Sequence, residues 1–256
     1  MNPTEKAVRD ANRRVFESKD YDAYDQNASI FEHSRQQEIE GILASAPRRE
    51  AMLDVGCGTG NVLRLAKRHF ARCYGADLSR PLLAELKRRE GLPLANAEAF
   101  RLPFRDGRFD LVSMYALVHH LLDPQAAFQE AYRVLRPGGL LYLDHDPNWY
   151  FGRFHHIYYR VRWSQRPGFG SWDAELSEWH HTRSGGLNPD KLRRTLAGVG
   201  FSQVDVHYRI TTNPALPLGF RVIRAGMRAL SRVYPFKSLY THFRILARKG
   251  APSRPV

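Results

Sequence analysis

The sequence predicts an α/β fold, with a mainly parallel sheet carrying helices on both faces. Three observations carry that prediction. Short apolar runs near 51–55, 72–76, 93–97, 109–114 and 139–145 alternate with helical patterns near 60–70, 79–90 and 123–135. The first run passes directly into a turn with three alternate glycines and a helix start, Ala51-Met52-Leu53-Asp54-Val55-Gly56-Cys57-Gly58-Thr59-Gly60-Asn61. Prolines fall at helix starts, as in Asp123-Pro124 and Asn188-Pro189, where a missing N–H costs little and Asp or Asn caps the free donors.

Taken in order, residues 1–32 are polar, with Tyr21, Tyr24 and Phe31 interspersed, and read as an N-terminal arm or lid or as a surface helix. His33 to Ala46 follows as a helix with Ile39, Ile42 and Leu43 on one face, ended by Pro47. Residues 33–146 then form the core of the sheet. Its glycine turn needs residues without a Cβ, because the backbone there takes positive φ or approaches a ligand closely. The helix that follows offers free N–H groups and its positive dipole end to whatever lies in the turn. A second strand ends in Asp77, Pro81 sits in the next first helical turn, and Asp123 is the expected N-cap with Pro124 the first helical residue. After the fifth strand, residues 147–187 form an aromatic cap. Residues 188–249 complete the core with a helix to about Val199, an alternating strand from Gly200 to Tyr208 and a last strand around Leu239 to Arg248. The tail, 250–256, is loose. Ligands of such sheets gather at the carboxyl ends of the strands, where Asp54, Asp77, Glu98 and Tyr115 converge.

The glycine spacing separates two ligand classes. A dinucleotide fingerprint wants Gly-x-Gly-x-x-Gly. Here the third glycine comes one residue early, at Gly60, and Asn61 stands where that motif has glycine. The stretch from Asp54 to Gly60 instead resembles motif I, Asp/Glu-x-Gly-x-Gly-x-Gly, of the class I S-adenosylmethionine-dependent methyltransferases. Glu98-Ala99-Phe100-Arg101-Leu102-Pro103-Phe104 followed by Asp106-Gly107-Arg108-Phe109-Asp110 resembles a second family signature. Phe109 to Tyr115, the loop Leu117 to Pro124 and Leu135-Arg136-Pro137-Gly138-Gly139 resemble its fourth strand, following loop and turn into strand five. These signatures cover about half the chain and are most similar to those of small-molecule enzymes of the ubiquinone/menaquinone-biosynthesis type.

The resemblance implies a Rossmann-like seven-stranded mixed sheet, mostly parallel with one antiparallel edge-hairpin strand, and S-adenosylmethionine as cofactor. It implies cofactor contacts from Asp54, Gly56, Cys57, Gly58, Thr59, Gly60, Asn61, Asp77, Leu78, Glu98, Ala99 and Tyr115. Asp77 would accept from both ribose hydroxyls, Glu98 from the adenine amino group, and the Ala99 N–H would face a ring nitrogen. The family usually has aspartate at the Glu98 position.

Composition narrows the classes. The chain has 256 residues, 43% hydrophobic, long enough for one large domain with additions and a substantial core. No run approaches the eighteen or so uninterrupted apolar residues of a transmembrane helix, and the polar N-terminus lacks the apolar stretch of a secretory signal. Two cysteines, Cys57 and Cys73, read as reduced thiols of a cytoplasmic protein. The formal charge of +13 is compatible with nucleic acid, an anionic membrane surface or arginine-rich composition alone.

Two stretches exceed what the core requires. From Asp146 to Trp172 the chain carries Trp149, Tyr150, Phe151, Phe154, Tyr158, Tyr159, Trp163 and Phe169, with Arg153, Arg160, Arg162 and Arg166 among them. Such aromatic walls suit a small-molecule pocket, stacked bases, or a packed cap with snorkelling arginines. Asp146-Pro147-Asn148-Trp149 echoes a motif of base-amino methylases, but that motif belongs after strand four. From Leu216 to Phe236, Arg221, Arg224, Arg228 and Arg232 form one stripe on a helix whose other positions are largely apolar. That helix either rests on an anionic membrane or packs on the domain with its basic face in solvent.

Methyl transfer from a sulfonium mainly requires alignment of a nucleophile, and an O–H acceptor gains from a base. His119 and His120, just after strand four, are the candidate catalytic residues, or they brace the loop; His145, His155, His156, His180 and His181 are further candidates on the cap. No Cys/His/Asp group has metal spacing, so no metal is expected. The sequence thus predicts a methyltransferase acting on a small apolar or aromatic metabolite, with oxygen favoured as acceptor. RNA methylation and a non-catalytic S-adenosylmethionine-binding regulatory module are the alternatives.

Overall fold

A computed structural model describes residues 3–23, 33–154, 171–210, 218–233 and 236–250. Tyr24, Phe31, His155, His156, Tyr158, Tyr159, Arg160, Arg162, Trp163, Arg166, Phe169 and the tail beyond Gly250 lie outside the described residues.

The chain opens with α1 (Glu5–Glu17), capped by the Thr4 hydroxyl, which accepts from Ala7 N–H. After α2 (His33–Ala44) come β1 (Ala51–Val55), α3 (Asn61–Ala66), β2 (Arg72–Asp77), α4 (Arg80–Glu90), β3 (Leu94–Asn96) and β4 (Phe109–Tyr115). A 3₁₀ turn over Val118–His120 leads to α5 (Gln125–Val134), β5 (Leu135–Pro147) and α6 (Trp149–Phe154). Beyond lie α7 (Trp172–Ser177), α8 (Trp179–Thr182), α9 (Pro189–Val199), β6 (Phe201–Arg209), α10 (Leu218–Val233) and β7 (His242–Lys249). One seven-stranded sheet runs β3-β2-β1-β4-β5-β7-β6. β1 to β5 pair in parallel, and β7 runs antiparallel between β5 and β6. Strand order reverses between β1 and β4, the position at which such sheets open a ligand crevice at their carboxyl ends.

The near-continuous apolar strands follow from burial on both faces. Met52, Leu111, Leu140 and Tyr142 pack against Ile39 and Leu43 of α2, Leu63 of α3 and Leu82 and Leu86 of α4. Their chain neighbours Leu53, Val112, Leu141 and Leu143 face the other way, onto Phe128 and Ala131 of α5 and Leu192 and Leu196 of α9. Successive residues alternate between the two layers, as a pleated strand demands.

Several boundaries differ from the sequence reading. α3 ends at Ala66 rather than near 70, because Arg68 and His69 donate back three residues and tighten the last turn. Asp123 does not cap a helix starting at Pro124: Pro124 itself is the cap, and Asp123 Oδ1 accepts from Gln125 N–H at 3.1 Å. β5 begins at Leu135, not 139, since Leu135 pairs with Phe109 and the glycine segment is absorbed as a register shift within the strand. The N-terminal arm contains α1, packed on α7 through Val8, Ala11 and Leu176 and by a two-pronged Arg14–Asp173 pair with both contacts at 2.7 Å.

The helix α10 departs most. Arg224 is 3% exposed, so the four-arginine stripe is broken, while Val222 (63%), Ile223 (58%), Leu230 and Val233 stand in solvent. At 100° per residue Arg224 falls beside Met227 and Ser231, on the side turned to the body of the protein. Of the simple expectation, the apolar side does not turn inward, while the basic side turns outward at every arginine of the stripe except Arg224. Arg221, Arg228 and Arg232 are exposed along one border of the apolar face.

Candidate functional site

β1 delivers Asp54, 2% exposed, to the mouth of the crevice, where the Ser113 hydroxyl of β4 donates to it at 2.5 Å. Burial pushes the Asp54 carboxyl up to about 7, with the Ser113 bond opposing the shift. The chain then turns through Gly56, Gly58 and Gly60 at φ of 72°, 49° and 86°. All three lie in the left-handed region that side chains resist, which is why glycine recurs at every second position.

The turn is tied to β2. Gly56 and Cys57 N–H both donate to Ala76 O, at 2.7 and 3.2 Å. Gly58 N–H donates to Asp77 Oδ2 at 2.8 Å, and Ser79 N–H to Asp77 Oδ1 at 2.8 Å. The carboxylate at the tip of β2 therefore faces the glycine corner, and each oxygen keeps lone-pair capacity for a ligand hydroxyl. Burial raises its pKa, opposed by these backbone donors. Thr59 O accepts from Tyr21 Oη at 2.9 Å, so the segment after α1 lies over the turn. The Cys57 side chain points into the sheet: a Cβ on Gly75 would stand 2.8 Å from its Sγ.

Asn61, at the start of α3, binds Thr59 Oγ1 and Arg64, and Leu78 O accepts from Asn96. Glu98, just past β3, is engaged by Arg13 at 3.3 Å and Arg9 at 3.5 Å, both from α1. Ala99 packs half-buried on the core beside it. Tyr115 turns its hydroxyl to Arg35 at 3.0 Å and stacks on His145. Ala116 and His145, both non-glycine residues at positive φ (53° and 65°), border this region at the ends of β4 and β5. Backbone strain of that kind concentrates at functional sites.

His119 and His120 converge with residues the sequence did not single out. His119 is buried; Asp146 Oδ1 accepts from its backbone N–H at 3.0 Å and lies 2.8 Å from its Nδ1. Asp146 is fully buried, which pushes its carboxyl up to about 8. His120 Nδ1 lies 2.7 Å from the Ser177 carbonyl, and desolvation and the neighbouring His119 drive its pKa down to about 4. Glu178 Oε2 stands 3.8 Å from His119 Nε2. Asn12 of α1 donates to His120 O at 2.8 Å and accepts from Ser177 Oγ at 2.8 Å. His180 lies next to this group with Nε2 donating to Leu121 O.

Asp146 carried the same signal as Asp54 and Asp77, an acid at a strand's carboxyl tip. Glu178 and Asn12 carried none. Asn148, from the rejected amino-methylase echo, is buried and donates to the Lys237 and Tyr240 carbonyls, a structural role.

Comparison with known proteins gives the family of the chain. A family profile described as a methyltransferase domain matches residues 53–143. The chain is 30% identical over 222 residues to a ubiquinone/menaquinone biosynthesis C-methyltransferase of Neisseria meningitidis, covering 81% of this chain and 89% of that one. A protein of the same description from Desulfotalea psychrophila is 27% identical over 205 residues, 74% of this chain and 80% of the other. Among solved structures, a SAM-dependent methyltransferase of Thermotoga maritima, described as a possible histamine N-methyltransferase, superposes with a TM-score of 0.61 at 17% identity, over 93% of this chain and 99% of that one.

Proposed function

The chain belongs to the class I S-adenosylmethionine-dependent methyltransferases, and from that premise we propose that it methylates a small, apolar or aromatic metabolite, with oxygen as the favoured acceptor atom. The cofactor would rest against the Gly56–Gly60 corner with its ribose on Asp77. Asp54, Cys57, Thr59, Asn61 and Leu78 line that corner, and Glu98, Ala99 and Tyr115 border the adenine and methyl ends.

The observation that carries the acceptor side is the buried His119–Asp146 pair. Asp146 orients the ring from behind, and a histidine so held is suited to take a proton from an O–H as the methyl arrives. His120, neutral through desolvation, shares the loop and offers its remaining nitrogen to the acceptor.

Incubation of the protein with methyl-labelled S-adenosylmethionine and an extracted metabolite pool tests the reading. Label entering a low-mass, solvent-extractable product, and falling at least tenfold in His119→Ala, is expected. Label entering RNA with a steep salt dependence would instead support the nucleic-acid alternative.

A membrane-facing role is proposed for α10. The segment leaves β6 at Arg209 and re-enters β7 at His242, which pairs with Pro147 at the carboxyl end of β5. It therefore extends from the edge of the sheet at which the site opens. An exposed apolar face bordered by Arg221, Arg228 and Arg232 matches the acyl boundary and headgroups of an anionic bilayer. Among the described residues, no helix is long and apolar enough to cross a membrane, so the contact proposed is peripheral.

A further inference from the structure

His119 and His120 close the loop after β4, and Glu178 reaches the same point from the junction of α7 and α8. One ligand atom from each, an imidazole nitrogen from both histidines and a carboxylate oxygen, lies within 4.8 Å of the other two. The rings themselves are close, with centroids 4.1 Å apart.

The hydrogen bonds behind the rings decide which atoms are offered. A carbonyl carries no proton, so at the 2.7 Å contact with Ser177 O the hydrogen sits on His120 Nδ1 and the Nε2 lone pair is left. Asp146 Oδ1 already accepts the His119 backbone N–H, and it receives Nδ1–H from the same residue at 2.8 Å. The Nε2 of His119 is thereby the atom directed to Glu178. A carboxyl oxygen behind one imidazole and a backbone carbonyl behind the other are the kind of outer partner that fixes tautomer and aim in metal-binding histidines. The scaffold is pinned from a third side, since Asn12 bridges the His120 carbonyl and the Ser177 hydroxyl. The Phe16 ring stands edge-on to His120 at 5.1 Å.

We propose that His119 Nε2, His120 Nε2 and the Glu178 carboxylate bind one divalent transition-metal ion, whose open position takes the acceptor's oxygen. Two imidazoles and a carboxylate are the donor set of borderline ions such as Zn²⁺, Fe²⁺ or Co²⁺, and three protein ligands leave room for a substrate atom. Sequence spacing predicted no metal because the third ligand comes from a distant helix junction without any motif of its own.

The site's part in methyl transfer rests on the function proposed above; the binding of the ion does not. An acceptor hydroxyl on the ion gives its proton to solvent at lower pH than when free. The resulting oxygen forms the O–CH₃ bond as the S–CH₃ bond breaks, and the cofactor leaves as neutral S-adenosylhomocysteine. In that state the Nε2 lone pair of His119 is on the ion, so His119 promotes loss of the acceptor proton as a ligand and not as the base itself.

The test is titration of the full chain with Co²⁺ alone, without S-adenosylmethionine, followed by its visible absorption. One saturable ion per chain is expected. Glu178→Gln, close to isosteric, and His119→Ala should abolish the saturable spectrum, and Asp146→Asn should weaken binding by about 10–100-fold. His207→Gln, on the exposed outer strand, should leave it unchanged. Melting curves of every variant separate ligand loss from unfolding, and cofactor calorimetry on Glu178→Gln separates failure of this site from failure of the methyltransferase assignment. Absence of saturable binding in the wild type overturns the proposal. So does binding in Glu178→Gln equal to wild type.

Discussion

Replacing Asp77 by asparagine keeps shape and changes one atom of chemistry. In the structure both carboxylate oxygens accept backbone N–H groups at 2.8 Å, from Gly58 in the glycine corner and from Ser79 at the start of α4. Asparagine has one oxygen and one NH₂, so one of those N–H groups must face a donor. A lost charge-assisted bond and a stranded donor together destabilise by about 1–3 kcal/mol. The half-buried carboxylate is itself disfavoured by desolvation, a strain that asparagine removes, so the low end of about 1 kcal/mol is expected. That corresponds to a fall in melting temperature of about 2–4 °C. The ribose loses more, because both its hydroxyls should donate to this side chain, and an affinity loss of about 10–100-fold follows at 1.4 kcal/mol per decade. Thermal melting and calorimetric titration of S-adenosylmethionine read the two effects separately. An Asp77→Asn protein with wild-type melting and cofactor affinity within twofold of wild type would refute the double role given to this carboxylate.

Gly75→Ala places a Cβ 2.8 Å from Cys57 Sγ and 2.7 Å from Leu94 Cδ2, so it should destabilise by about 1–3 kcal/mol; Cys57→Ala in the same chain should restore part of the loss in denaturant unfolding. Asp54, with its folded pKa raised to about 7 from 3.8, favours the protonated form in the native state. Its contribution is full below about pH 4 and is lost as pH rises through about 7, at up to 1.4 kcal/mol per pH unit. Asp54→Asn should flatten the unfolding free energy over that window, and an unchanged slope would count against the shift. On the outer surface, Val222→Ser with Ile223→Ser, or glutamine at Arg221, Arg228 and Arg232, should abolish flotation with anionic liposomes; equal flotation removes support for the membrane face of α10.

Local backbone chemistry is what the sequence makes legible. Alternate glycines needing positive φ, an acid closing β1 and another closing β2 lie within a few residues of one another, and the structure brings Gly58 onto Asp77 as their spacing implied. The continuous apolar runs announced strands buried on both faces. What could not be read depends on distant segments. Glu178 and Asn12 meet His119 and His120 only because α1 and α7 pack together across the loop after β4. The direction of the Cys57 side chain, into the space Gly75 leaves in the sheet, also depends on a residue of the neighbouring strand. Helical periodicity placed Arg221, Arg224, Arg228 and Arg232 near one another on α10, but periodicity does not say which face meets the protein. Arg224 went inward and the valines outward.

The cofactor is expected in the corner between β1 and α3, held by the tip of β2. A crystal structure with S-adenosylhomocysteine measures this directly. Both ribose oxygens are expected within hydrogen-bonding distance, about 2.6–3.2 Å, of the Asp77 carboxylate, with the nucleoside against Gly56–Gly60. An adenosyl group bound elsewhere, with Asp77 contacting only Gly58 and Ser79, would contradict it.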